Sequence, residues 1–224
     1  MAGYRFRFLL LFVLFGSVSA WSQERVLSEE EFDRITVAAN SASYVAPYRI
    51  TMRSEHFERS RGNQSIMSVT ETSEAQSEDR RRILRITIEA GITRKVENIT
   101  VSSDSFERID DGPWKRLEKN GGSANRFTVV GDIPLRKTEF TFRYLGKDLV
   151  NSISADLYES RKFREYEGTS FHRAYTVVTR FWVHSNGKFL KKDSETFEAD
   201  GSLSFRMSTY YEYPAKIRIE PPIK

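Results

Sequence analysis

The chain has no cysteine among its 224 residues. That excludes a disulfide framework and thiolate chemistry. Histidine is scarce too: the three, His56, His172 and His184, stand in separate polar segments, none of them in a G-x-S-x-G elbow. Nucleophilic catalysis needs a nucleophile beside an oriented base, and no such pair is visible. Phosphate-binding loops, dinucleotide fingerprints, repeats and low-complexity tracts are missing. The best acidic pair, Asp110-Asp111, precedes Gly112-Pro113, where turns favour Asp. Glycosidase chemistry needs two carboxylates across a cleft, and 31 acidic residues nominate no pair. The expectation is therefore a non-enzyme, with no catalytic residue, no metal ligand and no cofactor.

What is present begins with the N-terminus. Arg5 and Arg7 precede an unbroken apolar run, Phe8 to Phe15, and Gly16 to Ala20 ends in small residues. This pattern predicts a cleaved secretory signal peptide over 1–20. The run is short of the roughly 20 residues that cross a bilayer, and no later segment is apolar enough. Residues 21–224 are expected to form a single domain, periplasmic or secreted. Of the 35 Lys and Arg, two lie in the leader, leaving 33 against 31 Asp and Glu. So small an excess gives no reason to expect a nucleic-acid partner. The one basic run, Asp79 to Arg82, reads as a solvated strand start or as a contact for anionic lipid headgroups.

Ser28 and Glu31 form a capping box, and Phe32, Ile35, Ala38, Ala39 and Ala42 recur at helical spacing. A helix is expected from Glu29 to about Ser41. After it the pattern alternates. Strands are expected at Tyr48–Met52, Ser65–Glu74, Arg80–Ala90, Lys95–Val101, Ser105–Ile109, Phe140–Tyr144 and Ala155–Tyr166, with a short one after Trp114. Lys147–Val150 reads as a bend, and Glu58–Gln64 as a turn. Weak helical signals lie at Ile133–Lys137 and near Asp148.

The stretch from Tyr175 to Tyr213 reads as a meander. Asn186-Gly187 and Asp200-Gly201 are hairpin signals, because type I′ turns need positive φ at both central residues. The register they predict puts Arg180 opposite Asp193, Trp182 opposite Lys191, Val183 opposite Leu190, Glu195 opposite Arg206 and Thr196 opposite Phe205. One face then carries Tyr175, Val177, Phe181, Val183, Leu190, Phe205, Met207, Tyr211 and Tyr213; the other is charged.

The segment Phe181–Lys192 (FWVHSNGKFLKK), with Asp200-Gly201, Tyr210–Tyr213 and Ile217–Pro222, resembles the C-terminal part of LolA/LppX-like proteins, the outer-membrane lipoprotein carrier-like superfamily. Val96–Arg108 with Asp111–Arg116 resembles that superfamily's middle hairpin. The motifs are strand-and-turn patterns over about half the chain; His184 stands where the family often has Asp, and there is no lipobox Cys. The resemblance implies a mainly β fold with few helices: a curved antiparallel incomplete (half) barrel of about eleven strands, with an N-terminal helix and a helical plug on the concave side. A lipocalin-like barrel also fits the strand count. The plug candidates lie between Asn120 and Lys137 and near Asp148. The implied function is a non-enzymatic periplasmic carrier or chaperone that binds acyl chains of a lipoprotein or lipid. Candidate lining residues are Phe32, Ile35, Leu84, Ile86, Ile88, Phe140, Phe142, Val177, Phe181, Phe205 and Met207. Expected partners are those acyl chains and a transient membrane or membrane-protein contact, with the chain a monomer. An envelope sensor on the same scaffold, or a secreted hydrolase, is the alternative.

Overall fold

A computed structural model describes residues 24–60, 63–117, 135–168 and 171–223. The expected leader, the patch at Phe127–Val130 and the plug candidates over 120–134 lie outside the described residues. The chain runs β1 (Arg25–Val26), α1 (Glu29–Ser43), β2 (Tyr48–Ser60), β3 (Asn63–Ser77), β4 (Arg80–Glu89), β5 (Ile92–Val101), β6 (Asp104–Ile109), β7 (Lys115–Leu117), β8 (Leu135–Val150), β9 (Ile153–Gly168), β10 (Phe171–His184), β11 (Phe189–Glu198) and β12 (Leu203–Glu212). Among the described residues all twelve strands belong to one open sheet in the order β1-β8-β9-β10-β11-β12-β2-β3-β4-β5-β6-β7. Every neighbouring pair is antiparallel.

The sheet is twelve-stranded where about eleven strands were expected. The extra count comes from the dipeptide β1, too short to carry a periodic signal. Leu135–Lys137 and the residues around Asp148, read as weak helical signals, belong to β8. So does Lys147–Val150, read as a bend, because long-range pairing with β9 overrides the local pattern. The turn between β2 and β3 is likewise tighter than expected: Glu58 to Ser60 pairs with Asn63 to Ser65.

α1 starts where the capping box places it. The Ser28 hydroxyl accepts the Glu31 N–H at 3.2 Å, and three glutamates occupy the first turn. Its apolar stripe lies on one face of the sheet. Leu27, Phe32, Ala39, Tyr48, Ile50, Phe181, Val183, Phe189 and Tyr211 form the buried cluster there, with Ile35, Phe142, Tyr144, Tyr158 and Tyr213 packed at its edge. Phe32 sits 4.6 Å from the Phe142 ring and 5.2 Å from Phe181, within the favourable range for aromatic pairs.

The meander keeps most of its predicted register. Arg180 pairs with Asp193, Trp182 with Lys191, Glu195 with Arg206 and Thr196 with Phe205. A bulge between Trp182 and Val183 changes the last step, so that Val183 faces Phe189 rather than Leu190. One inserted residue reverses which side chain points where. Phe189 therefore joins the helix-side core, and Leu190 packs with Val150, Ala155, Leu157 and Trp182 on the other face. The backbone of Phe189 is held by side chains at this irregular point. Its N–H donates to the Oγ of Ser43 at 2.8 Å, and its carbonyl accepts from the Tyr213 hydroxyl at 2.8 Å. These bonds tie the end of α1 to the start of β11.

The face away from α1 is charged. Arg143 and Arg180 both bind Glu159, Arg180 also reaches Glu195 at 3.8 Å, and Arg206 binds Glu195 at 3.1 Å. A second buried glutamate, Glu97, lies between Arg82 and Arg108, each at 2.6 Å. Burial raises the pKa of Glu97 and Glu159, but hydrogen bonds from two arginines each outweigh it and hold both below the ordinary glutamate value.

Candidate functional site

Cross-strand partners share a face, so the register sorts every candidate residue. Phe181 pairs with Tyr158, and Tyr158 with Tyr144, which fixes the helix-bearing face of β8 to β10. Phe140 and Phe142 are on that face. Val177 follows Phe181 by four residues and joins them. Ser194 pairs with Met207, and Thr196 with Phe205, which brings in β11 and β12. Phe32 and Ile35 approach from α1. Eight of the eleven candidate lining residues thus meet on one side of the sheet.

Leu84, Ile86 and Ile88 do not. On β2 and β3 the helix-bearing face carries Ile50 and Glu74, and Glu74 pairs with Ile83. Leu84, Ile86 and Ile88 alternate with Ile83 and point to the opposite face, where Leu84 pairs with Ser73 and Glu97. They share no wall with Phe181 and Phe205. The alternation inside β4 is legible in the sequence; which of its faces meets the helix is set only by pairing through β2 and β3.

The eight divide further. Phe32, Ile35, Phe142 and Phe181 belong to the packed cluster between α1 and the sheet, and Phe181 is 2% exposed. Phe140, Val177, Phe205 and Met207 lie beyond that cluster on the same face; Phe140 is 41% exposed and the other three are half-buried. Between the two groups runs a row of small hydroxyl residues. Ser160 pairs with Phe142, Thr179 with Ser160 and Ser194, and Ser54 with Met207 and Thr70. Their side chains rise little above the backbone. They leave a lane that crosses β9, β10 and β11 and ends against Met207 on β12, flanked on one side by the row Phe140, Lys162, Val177, Thr196 and Phe205. Sequence reading missed this floor because Ser and Thr in a strand carry no apolar signal.

The polar groups considered for chemistry fall apart. His56 lies on the helix-bearing face against Phe205, with 4.8 Å between ring centroids, while His184 is on the other face and accepts the Asn186 N–H at 3.4 Å. The side chain of His172 is outside the described residues. Asp110 and Asp111 have positive φ in a turn and bind the N–H and the ammonium of Lys95. Among the described residues no group of three His, Cys, Asp or Glu is placed to hold a metal ion. The Arg80–Arg82 run is engaged internally: Arg80 with the Ile219 carbonyl, Arg81 with Glu74 and Arg82 with Glu97.

A cavity of about 580 Å³ opens on the face away from α1, lined by Val150, Ile153, His184, Leu190 and Tyr210 among others. Among the described residues no helix is long and apolar enough to cross a membrane. Compared with protein-family models and with curated proteins, the chain matches none.

Proposed function

We propose that this chain is a non-enzymatic periplasmic carrier that holds the acyl chain of a lipid or lipoprotein on the helix-bearing face of its sheet. In this reading the sheet curves into an incomplete barrel of the LolA/LppX-like kind, plugged on its concave side. The leader-like N-terminus, the single early helix and the hairpin motifs of the C-terminal meander support the assignment. The observation that carries it is that α1, the one helix among the described residues, covers only part of this face. The helix packs on the Phe181 cluster, while Phe140, Val177, Phe205 and Met207 lie outside that cluster beside a floor of Ser and Thr. Ligand sites combine apolar walls with a few placed polar groups, and here Phe140, Val177, Phe205 and Met207 supply the apolar wall beside the hydroxyl floor.

Native mass spectrometry after gentle extraction is expected to find co-purified lipid, and a fluorescent acyl probe to be taken up and displaced by it. The variant Ser194→Phe fills the lane between Thr179 and Met207. It is expected to weaken probe uptake at least tenfold while the protein still melts cooperatively. A lipid-free protein that also ignores the probe would end this reading.

A further inference from the structure

We infer that Lys162 and Arg164 form the headgroup end of this lane and bind the acid group, carboxylate or phosphate, of an anionic amphiphile. The inference rests on the carrier reading above.

Both residues are on β9, two apart, and so project from the same helix-bearing face. Lys162 pairs with Phe140 on one side and Val177 on the other, which places an ammonium directly beside the apolar lane. Its Nζ lies 4.5 Å from the centre of the Phe140 ring. Arg164 pairs with Thr138 and Tyr175 in the next row outward. Its Nη1 donates to the Tyr166 hydroxyl at 3.2 Å.

The pair differs from the cations of the opposite face. Across the other face, Arg143, Arg180 and Arg206 each lie against a glutamate. Lys162 and Arg164 are half-buried, and among the described residues neither makes an ion pair with a carboxylate. The Nε of Arg164 and the Oγ1 of Thr138 are both buried without a hydrogen-bond partner. Buried donors are normally satisfied, so two orphans beside an unpaired cation pair mark a place where a ligand supplies the missing acceptor. Burial, followed by repulsion from Arg164, holds the Lys162 ammonium below its ordinary pKa. Tyr166 and, after it, Glu29 in the first turn of α1 offset this only in part. From Lys162 the row runs through Val177 and Thr196 to Phe205, three strand spacings or about 14 Å, enough for a medium-length acyl chain lying across the sheet.

The test compares two probes of the same tail, a fatty acid and its fatty alcohol, on the processed protein, with inorganic phosphate and acetate as tail-less controls. The acid is expected to bind about tenfold or more tightly than the alcohol, since hydrogen bonds to charged groups are the strong ones. Lys162→Gln with Arg164→Gln should abolish that advantage and leave alcohol binding intact, which also reports that the variant is folded. Arg161→Gln, on the other face of the same strand, should change nothing. Equal binding of acid and alcohol, or an advantage that survives in the double variant or in both single variants, overturns the inference and leaves the carrier reading standing. Phosphate or acetate binding as tightly as the acid overturns it too, by assigning the pair to free anions. If neither acid nor alcohol binds, both readings fall.

Discussion

Ser43 shows how much one side chain can decide. It is fully buried, and its hydroxyl accepts the N–H of Phe189 where the bulge disrupts the ordinary ladder. Replacing Ser43 with Ala leaves a buried backbone donor unpaired, and we expect a loss of about 1–3 kcal/mol in chemical denaturation. Phe181 is held by Phe32, Tyr158 and Phe189 at 5.2–5.6 Å. Phe181→Ala should cost about 3–5 kcal/mol through lost burial and the cavity left behind. The hydroxyls of Tyr48 and Tyr213 are each pushed up to about 12, in both cases mainly by burial. A raised tyrosine pKa stabilises the fold below the unfolded value and loses that contribution as pH rises towards the folded one. Unfolding midpoints should therefore fall between about pH 10 and 12, and Tyr48→Phe should flatten part of the slope.

At the scale of elements, the meander is pinned by its turns and by charge. Gly187 and Gly201 have φ of +81° and +80°, which L side chains rarely adopt. Open space surrounds both, so Gly→Ala at either costs backbone strain alone, about 1 kcal/mol, readable as a small drop in the unfolding midpoint. Glu159 joins β8 to β10 through Arg143 and Arg180, and Glu97 joins β4 to β6 through Arg82 and Arg108. Both carboxylates ionise more readily folded than unfolded, so their contribution is present above the ordinary glutamate pKa and lost as pH falls through the depressed one. Glu97→Gln with Glu159→Gln should remove much of the acid-side slope of stability; an unchanged slope would mean that other carboxylates set it. The charged pairing across the meander was legible from its glycine turns, but the turns are not the expected two-residue type I′: positive φ falls on Gly187 and Gly201 alone, the loops close between His184 and Lys188 and between Glu198 and Ser202, and one bulge in each hairpin restores the register. The bulge that exchanged Leu190 for Phe189 was not, since nothing in an apolar Phe-Leu pair says which one faces inward.

For the whole molecule, the decisive feature among the described residues is one sheet with two unlike faces and one helix, α1, packed on part of one of them. That asymmetry leaves Phe140, Val177, Phe205 and Met207 beside the Ser and Thr floor, where the proposed ligand would lie. If an acyl chain fills the lane, a saturating lipid should raise the unfolding midpoint in proportion to the logarithm of its concentration. The same lipid should give little shift with Ser194→Phe, as measured by calorimetry.

The sequence by itself determined the element types. Capping residues, period-two alternation and glycine turns act over a few residues and need no partner elsewhere in the chain. They placed α1, the strands and most of the meander register. Only the tertiary structure decided which face each strand gives to the helix. Leu84, Ile86 and Ile88 alternate as clearly as Val177 and Phe181, yet they fall on opposite sides of the sheet. The parity of a strand is a property of its neighbours, passed along from β12 through β2 and β3, and no residue in β4 carries it. The long-range contacts were hidden for the same reason: Ser43 with Phe189, Glu159 between two arginines, and Lys162 beside Val177 exist only once the pairing of distant strands has set their register.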